Sequence, residues 1–330
     1  MSRFYVALIL LACVLNGRAE NTQHEESDLP ITPIEGGAPI SIEVVPKQFT
    51  FTGPRSHLQL VVTGHYANNE IADLTRVAKI TLADASIAES AARGVIKPIA
   101  DGQTVATVSI GGHTAPVSLV VEDMNSKEPV SFHYEALPAL SKAGCGTGGC
   151  HGAPHGKGDF RLSLWGFDPG LDQETIIHEE FGRRINLIEP EQSLFLTKPR
   201  NEVAHEGGQR FRKGDIEHDL LVKWIQSGCV VEEEPKRCVG IRITPGEDRT
   251  LKRPHHVQQI KVEAEFEDGT VKDVTHIAVF ESSDEKVCKV SRNGLAVGLA
   301  RGEAAVIVRY LEYIDSTILS FVEDVPELTW

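Results

Sequence analysis

The two ends of this 330-residue chain repeat each other, and the segment between them is different. Three segments of the first copy recur in the same order in the second: IEVVP (42–46) as IRITP (241–245), DLT (73–75) as DVT (273–275), and VED (121–123) as VED (322–324). Self-similarity at this length means that one structural unit occurs twice. The fold must therefore contain two copies of one domain around an unlike middle.

The pattern within each copy predicts β-structure. Short runs rich in β-branched residues alternate apolar and polar side chains, and Gly, Pro, Asn and Asp separate the runs. This is typical of antiparallel strands packed as a sandwich. Each copy has a proline after its first strand and a central Asp-hydrophobic-Thr, and the second copy has the segment SDEKV at 283–287. By these features both copies resemble the bacterial immunoglobulin-like (Ig-like) domain of group two. We predict such domains at residues 40–124 and 239–324. The resemblance implies spacer or adhesive modules outside the cytoplasm, without catalysis.

The extreme N-terminus has the organisation of an export signal. Arg3 precedes an apolar stretch that ends in small residues suited to a signal peptidase. We predict a signal peptide at residues 1–19 and a polar linker at residues 20–39. The LLAC sequence at residues 10–13 also resembles a lipoprotein box, in which Cys13 would carry the lipid. Either interpretation predicts an exported protein, in the periplasm or at the cell surface.

The charge balance excludes two classes of partner. The chain has 33 Lys and Arg against 47 Asp and Glu, which gives a formal net charge of -14. An acidic chain of this kind is repelled by nucleic acids and by anionic membrane surfaces. No apolar run after the leader is long enough to cross a bilayer, so we expect no transmembrane segment in the mature chain.

The middle segment, residues 131–234, changes to helical periodicity. The clearest case is residues 214–227, where Ile216, Leu220 and Trp224 fall on one face of a helix. Acidic residues stand near its start, where they interact favourably with the helix dipole. We therefore predict a small, mostly α-helical domain here.

A C-x4-C-H motif, formed by Cys145, Cys150 and His151, follows the first predicted helix of this segment. In c-type haem proteins two thiols bond to the haem, and a histidine directly after the second cysteine ligates the iron. Glycines between the two cysteines allow the longer loop to fold back. A Cys145–Cys150 disulfide and a zinc site are alternatives that tolerate the same spacing.

A more specific resemblance supports haem. The residues that carry it are KAGC (142–145), CHGA (150–153), GKGDFRLSL (156–164), GRRIN (182–186) and EPEQSL (189–194). They resemble the cytochrome-like domain of exported planctomycete-type proteins. The resemblance implies a multidomain fold class, in which two all-β Ig-like sandwiches flank a small, mostly α cytochrome c-like haem domain at 131–234. In longer members of that group two large domains follow, so a chain ending at Trp330 is either a natural short form or the N-terminal part of a larger protein.

A second axial ligand is needed unless the iron has an open site. The only methionines are Met1 and Met124, and neither follows the motif. We propose His205, in the loop before the last predicted helix, as the distal ligand opposite His151. The other candidates are His155, His178 and His218. We thus predict one covalent haem c per chain, with Cys145 and Cys150 as anchors and His151 and His205 as metal ligands. Bis-His ligation predicts a low potential and electron transfer with an unknown redox partner. Candidate partners of the haem propionates are Arg161, Arg183 and Arg184.

Three cysteines remain outside the leader and the motif. Cys229 and Cys238 bracket an acidic linker, and we predict a disulfide between them. Cys288 alternates within a strand-like run and is predicted to be a buried thiol.

Two functions follow from these predictions. The first is an exported haem protein for electron transfer. The alternative is a non-enzymatic surface or adhesion scaffold, in which a disulfide or zinc staples the middle and the Ig-like domains bind a surface protein or glycan. Both favour an electron carrier or a binding module over an enzyme, and if the chain is the N-terminal part of a larger protein, any catalysis would belong to the domains that follow.

Overall fold

The computed structural model describes residues 37–253 and 255–323. The predicted signal peptide (1–19), most of the linker (20–39) and Cys13 lie outside the described residues. Among the described helices, none combines the length and the apolar character that a membrane crossing requires.

The first repeat is built from short strands. They are β1 (Ser41–Val45), β2 (Gln48–Thr52), β3 (Leu58–Gln59), β4 (Val61–His65), β5 (Ile71–Asp73), β6 (Lys79–Leu82), β7 (Ala88–Ser90), β8 (Val95–Pro98), β9 (Gly102–Ile110) and β10 (His113–Glu122). They form three sheets, in the orders β1-β4-β5, β2-β10-β9-β6 and β3-β8-β7. Along β9 buried and exposed residues alternate, which is the period-two pattern of a sheet with one face on a core.

The second repeat has the same topology. Its strands are β11 (Cys238–Thr244), β12 (Arg249–Lys252), β13 (Val257–Gln259), β14 (Lys261–Phe266), β15 (Val271–Asp273), β16 (Val279–Ser282), β17 (Cys288–Val290), β18 (Leu295–Gly298), β19 (Gly302–Tyr310) and β20 (Tyr313–Val322). The sheet orders β11-β14-β15, β12-β20-β19-β16 and β13-β18-β17 match those of the first repeat strand for strand. Both repeats also have a parallel pair, β2 with β10 and β12 with β20. The internal repeat read from the sequence is thus a repeat of the β-domain itself.

The middle segment contains short helices. They are α1 (Leu137–Lys142), α2 (Pro169–Gln173), α3 (Leu194–Thr197) and α4 (Ile216–Gln226), with single helical turns at Phe132–Ala136, Leu164–Gly166, Glu174–His178, Glu179–Gly182 and Pro190–Gln192. The rest of the segment is loop, including the glycine-rich stretch at 144–158. Glycine is unfavourable in a helix because it loses the most backbone entropy on folding.

The predicted fold class, with a small, mostly α cytochrome c-like domain between two sandwiches, is wrong. The structure is mostly β, with 37% strand and 18% helix, and α4 with its 11 residues is the longest helix of the middle segment. Moreover, Phe132 and Trp224 of this segment belong to the same apolar core as Phe266 and Phe321 of the second sandwich. The middle segment is therefore an extension of the second sandwich, because its few helices do not enclose a separate core.

A pair of buried aspartates joins the two sandwiches. Asp73 ends β5 and accepts a hydrogen bond from the backbone N–H of Gln259, at 2.8 Å. Asp273 ends β15 and accepts one from the backbone N–H of Gln59, also at 2.8 Å. The two contacts are related by the repeat, since each residue lies 200 positions from its counterpart. The sandwiches thus contact each other through equivalent edges.

Candidate functional site

The four predicted haem-site residues line one cavity of about 340 Å³ in the middle segment. The cavity is enclosed by Leu140 of α1, Leu194 and Phe195 of α3, and the loops that carry Cys145, Cys150, His151 and His205. Four histidines were candidates for the side opposite His151, and of these His205 alone lines this cavity. His151 and His205 are 54 residues apart in the sequence, and tertiary structure brings them together.

The loop between the cysteines folds back at two glycines. A Cβ on Gly146 would lie 2.8 Å from the backbone oxygen of Ser163, and one on Gly152 would lie 2.3 Å from the backbone oxygen of Gly146. Any side chain at these positions would displace backbone. The backbone N–H of His151 donates to Cys145 O at 3.1 Å, which closes the loop, and the motif residues Cys145, Cys150 and His151 all line the cavity.

The two imidazoles are held in the same way. Nδ1 of His151 lies 2.9 Å from the backbone oxygen of Phe160, and Nδ1 of His205 lies 2.8 Å from the backbone oxygen of Gly208. A carbonyl only accepts, so each Nδ1 carries a proton, and in the neutral form of either ring Nε2 is the remaining acceptor. Hydrogen bonds of this kind fix the tautomer and orientation of metal-binding histidines.

The rings of His151 and His205 are nearly parallel, with 18° between their planes and 6.2 Å between their centres. The two imidazoles therefore lie next to each other in the cavity. Burial lowers the pKa of His151, and neighbouring His205 lowers it further. His151 is therefore neutral at pH 7, as a ligand must be.

The two thiols of the motif differ in environment. Cys145 is buried, and burial raises its pKa to about 12. Cys150 is half-buried, and its sulfur accepts a hydrogen bond from Arg210 Nη2 at 2.9 Å. Both are free thiols in the structure. Of the two alternatives for the motif, the Cys145–Cys150 disulfide is therefore not formed here.

Cationic side chains also line the cavity, among them Arg183, Arg184 and Arg210. Arg184 is buried, donates to Thr175 O at 2.7 Å and packs over the Phe160 ring, so it holds the cavity wall. Arg183 is exposed. Arg161, the third predicted propionate partner, is not among the lining residues.

Other predicted residues lie away from the cavity. His218 is buried in α4 and contacts Arg200 and Asp219, at 3.0 Å each. Cys229 and Cys238 are free, so the predicted disulfide between them is not formed in this structure. The Sγ of Cys238 points instead to Gly240 O, at 3.5 Å. Cys288 is a buried free thiol in β17.

Sequence reasoning missed two groups that shape the site. Arg210 contacts Cys150, although nothing in its local sequence marks it. Phe160 packs 4.6 Å from the His151 ring and provides the carbonyl that orients it. Phe160 does lie in the GKGDFRLSL segment, which the sequence had singled out as a block without assigning it a role.

The chain matches no protein family model and no curated protein. Among solved structures, domains 5–6 of the surface-layer protein SbsC are similar at 10% identity and a TM-score of 0.33, over 86% of this chain and 98% of that one. Extracellular domains 3–5 of Drosophila OTK are similar at 9% identity and a TM-score of 0.17, over 89% of this chain and 67% of that one. The protocadherin GammaB4 extracellular domain is similar at 13% identity and a TM-score of 0.18, over 86% of this chain and 51% of that one. All three TM-scores lie below 0.5, so these likenesses establish no common fold.

The classification of the chain as a cytochrome is wrong, and no metal-holding group among the described residues supports iron or electron transfer. Its basis was a cytochrome c-like α domain, and the middle segment is instead an extension of a β-sandwich. Over residues 37–253 and 255–323, no group of three or more His, Cys, Asp and Glu side chains is placed to hold a metal ion. The zinc alternative for the motif has no support for the same reason, because structural zinc takes four protein ligands.

Proposed function

We propose that this protein is an exported, non-enzymatic surface scaffold, in which two Ig-like sandwiches hold a fixed orientation. The observation that carries the proposal is the reciprocal contact of Asp73 and Asp273 with the opposite sandwich. A flexible pair of spacer domains needs no such contact, whereas a scaffold that presents surfaces at a set angle does.

The contact is extensive as well as reciprocal. Asp73 Oδ2 also accepts from Gln258 Nε2 at 2.9 Å. Arg249 of the second sandwich donates to Thr63 Oγ1 of the first at 3.1 Å, and Lys252 pairs with Glu70 at 2.8 Å. A buried carboxylate that accepts several N–H groups is costly to separate from them, because all would be left unsatisfied.

The middle segment adds a second brace. Arg55 of the first sandwich forms a bidentate ion pair with Glu135, at 2.7 and 3.0 Å. Tyr310 of the second sandwich donates its hydroxyl to the backbone oxygen of Tyr134 at 2.9 Å. The single turn at Phe132–Ala136 therefore contacts both sandwiches, which supports one rigid unit rather than three independent domains.

Surface display and rigidity are tested separately. With the full chain expressed in an exporting host, we expect protease added to intact cells to degrade it while a cytoplasmic marker survives. Protection until the cells are lysed would contradict the surface assignment. Small-angle X-ray scattering should give one compact particle for the parent. An extended, multi-conformer profile for the parent would contradict the scaffold.

We propose, as a second candidate function, that the cavity of the middle segment holds a covalently attached haem. The paired imidazoles favour it, since the nearly parallel rings of His151 and His205 lie 6.2 Å apart, centre to centre, in the cavity that Cys145 and Cys150 also line. Cys145 and Cys150 would hold the group through thioether bonds. A haem bound there would supply a redox-active iron, while the backbone oxygens of Phe160 and Gly208 orient the imidazoles of His151 and His205.

The absorption spectrum of protein made with haem-attachment enzymes tests this second candidate. We expect haem bands that survive acid-acetone extraction, loss of the pigment in Cys145→Ala/Cys150→Ala, and a low-spin to high-spin change in His205→Ala. His155→Ala is the matched control, because His155 is exposed near the motif and does not line the cavity. A colourless parent, or a His155→Ala variant that changes as much as His205→Ala, would refute it.

A further inference from the structure

A second, larger cavity lies where the two sandwiches and the middle segment meet. Its volume is about 640 Å³, and it is open to solvent along one side. The first sandwich contributes the turn at Ala92–Gly94 and strand β8, the middle segment contributes the start of α4, and the second sandwich contributes residues around His276 and Arg292. We name this cavity the junction groove.

The junction groove is lined by an excess of positive charge. Its cationic side chains are Arg76, Arg93, Lys97, Lys142, Arg212 and Arg292. Its acidic side chains are Asp215, Glu217 and Asp219. Six cations against three acids leave an excess of three positive charges on one concave surface, in a chain whose net charge is -14. A concave surface lined by an excess of positive charge concentrates the electrostatic field and attracts anions, even on a protein whose net charge is negative.

The three acids are already engaged. Glu217 forms an ion pair with Arg292, and the Asp215 carboxylate accepts the backbone N–H of Arg212 at 2.6 Å. Asp219 lies 3.0 Å from Nδ1 of His218. Because Asp215 is turned to Arg212, it makes no side-chain hydrogen bond to the first turn of α4. The N-terminus of this 11-residue helix therefore adds its partial positive charge to the groove.

Two imidazoles form part of the groove wall. His57 and His276, from opposite sandwiches, stack with ring centres 4.1 Å apart. Nδ1 of His276 is buried and makes no hydrogen bond within the part of the chain that the structure describes. Burial lowers the pKa of both, and Lys97 lowers both further, in keeping with a positive potential at this point.

We propose that the junction groove binds an anionic glycan through its sulfate or carboxylate groups. Charge-assisted hydrogen bonds from arginine and lysine are the strong contacts to such groups. The groove has a volume of about 640 Å³ and is open to solvent on one side, so it can admit a ligand larger than a single ion. A long nucleic acid is disfavoured, because the chain as a whole has a net charge of -14 and repels a long polyanion, whereas a short oligosaccharide contacts the groove alone.

Calorimetric titration of the full chain at low ionic strength tests the proposal. The probes are a heparin-derived hexasaccharide, a hexagalacturonate and inorganic sulfate. We expect one of the two oligosaccharides to bind at one site per chain, and binding to weaken about tenfold in Lys97→Gln, which removes one charge-assisted contact. Lys97 is exposed on β8, so this variant should keep the parent's circular dichroism and melting temperature.

Lys79→Gln is the matched control. Lys79 is an equally exposed lysine on β6 of the same sandwich, and it lies outside the groove. We expect it to bind as the parent does. The proposal is overturned if neither oligosaccharide binds, if Lys79→Gln weakens binding as much as Lys97→Gln, or if sulfate alone binds as tightly as the oligosaccharides. The sulfate outcome would mean a simple ion site.

Discussion

Removing the Asp73 carboxylate should destabilise the contact between the sandwiches. Asp73 is 7% exposed, and it accepts hydrogen bonds from Gln259 N–H at 2.8 Å, from Gln258 Nε2 at 2.9 Å and from Thr75 N–H at 2.9 Å. In Asp73→Ala these donors lose their acceptor. Each buried donor left unsatisfied costs about 1–3 kcal/mol. Some relaxation occurs, so we expect the free energy of unfolding to fall by about 3–5 kcal/mol.

Asp73→Asn separates the lost acceptor from the lost charge. The amide oxygen of asparagine can take the place of Oδ2, which accepts from Gln259 and Gln258, but the NH2 group then faces the Thr75 N–H from which Oδ1 had accepted. The neutral state is also tolerated at this position, since burial raises the pKa of Asp73 to about 6. We therefore expect Asp73→Asn to cost about 1–3 kcal/mol, less than Asp73→Ala, because one of the three donors rather than all of them loses its acceptor.

The sign of the pH dependence follows from the raised pKa. The folded state of the parent holds a proton on Asp73 up to about pH 6, whereas the unfolded state releases it near pH 4. The stability that this group contributes is therefore present below pH 4 and is lost as pH rises to 6. Asp73→Asn does not titrate, so its stability relative to the parent should rise across that window.

Urea unfolding followed by circular dichroism measures both effects. Asp84→Ala is the control, because Asp84 is an exposed aspartate of the same sandwich whose carboxylate bonds are local, to Ser86. We expect a change below about 0.5 kcal/mol in that control. The reasoning is refuted if Asp73→Ala is as stable as Asp84→Ala, or if Asp73→Asn is as unstable as Asp73→Ala.

Three further predictions concern the junction groove and the motif. Burial holds the pKa of His276 well below its usual value, so the stability that this residue contributes is present above about pH 6.5 and is lost as pH falls. In urea unfolding at a series of pH values, His276→Phe should not show this loss on the acid side. A pH profile the same as the parent's would contradict the prediction. Gly152→Ala should lower the melting temperature strongly, because the added Cβ would lie 2.3 Å from the backbone oxygen of Gly146. The control Gly149→Ala, whose Cβ would have no atom within 4 Å, should melt close to the parent. Similar melting temperatures for the two variants would refute the steric argument. In haem-free protein near pH 8, a maleimide should label Cys150 well before Cys145, because the Cys145 thiol is buried and has a raised pKa. Peptide mass mapping of the labelled protein measures the two rates. Equal rates would contradict the prediction and would mean that the motif loop opens.

The repeat was readable from the sequence because it is written in local patterns. Period-two alternation and turn residues recur in both copies, and they reflect the same inward-facing side chains in β9 and β19. The amphipathic helix at 214–227 was readable for a similar reason, and the structure has it as α4 at Ile216–Gln226. Its end residues differ slightly, since helix ends depend on capping contacts.

The middle segment was misjudged because a motif and one helix do not define a fold. Helical periodicity shows which face of a segment is apolar, but it does not show what covers that face. Here Trp224 and Phe132 stack at 5.1 Å within a core that continues into the second sandwich. A cytochrome c-like domain would have needed a core of its own.

Local order along the chain was enough to predict two sandwich repeats, an acidic surface and a Cys-Cys-His loop, because strand alternation, net charge and motif spacing are properties of neighbouring residues. Tertiary structure alone decided which distant groups meet. It placed His205 opposite His151, Asp73 against Gln259, and His57 on His276. These contacts join residues from about fifty to more than two hundred positions apart. Such pairings depend on how whole domains pack against each other. The local sequence around any one of these residues therefore does not indicate which distant residue it contacts.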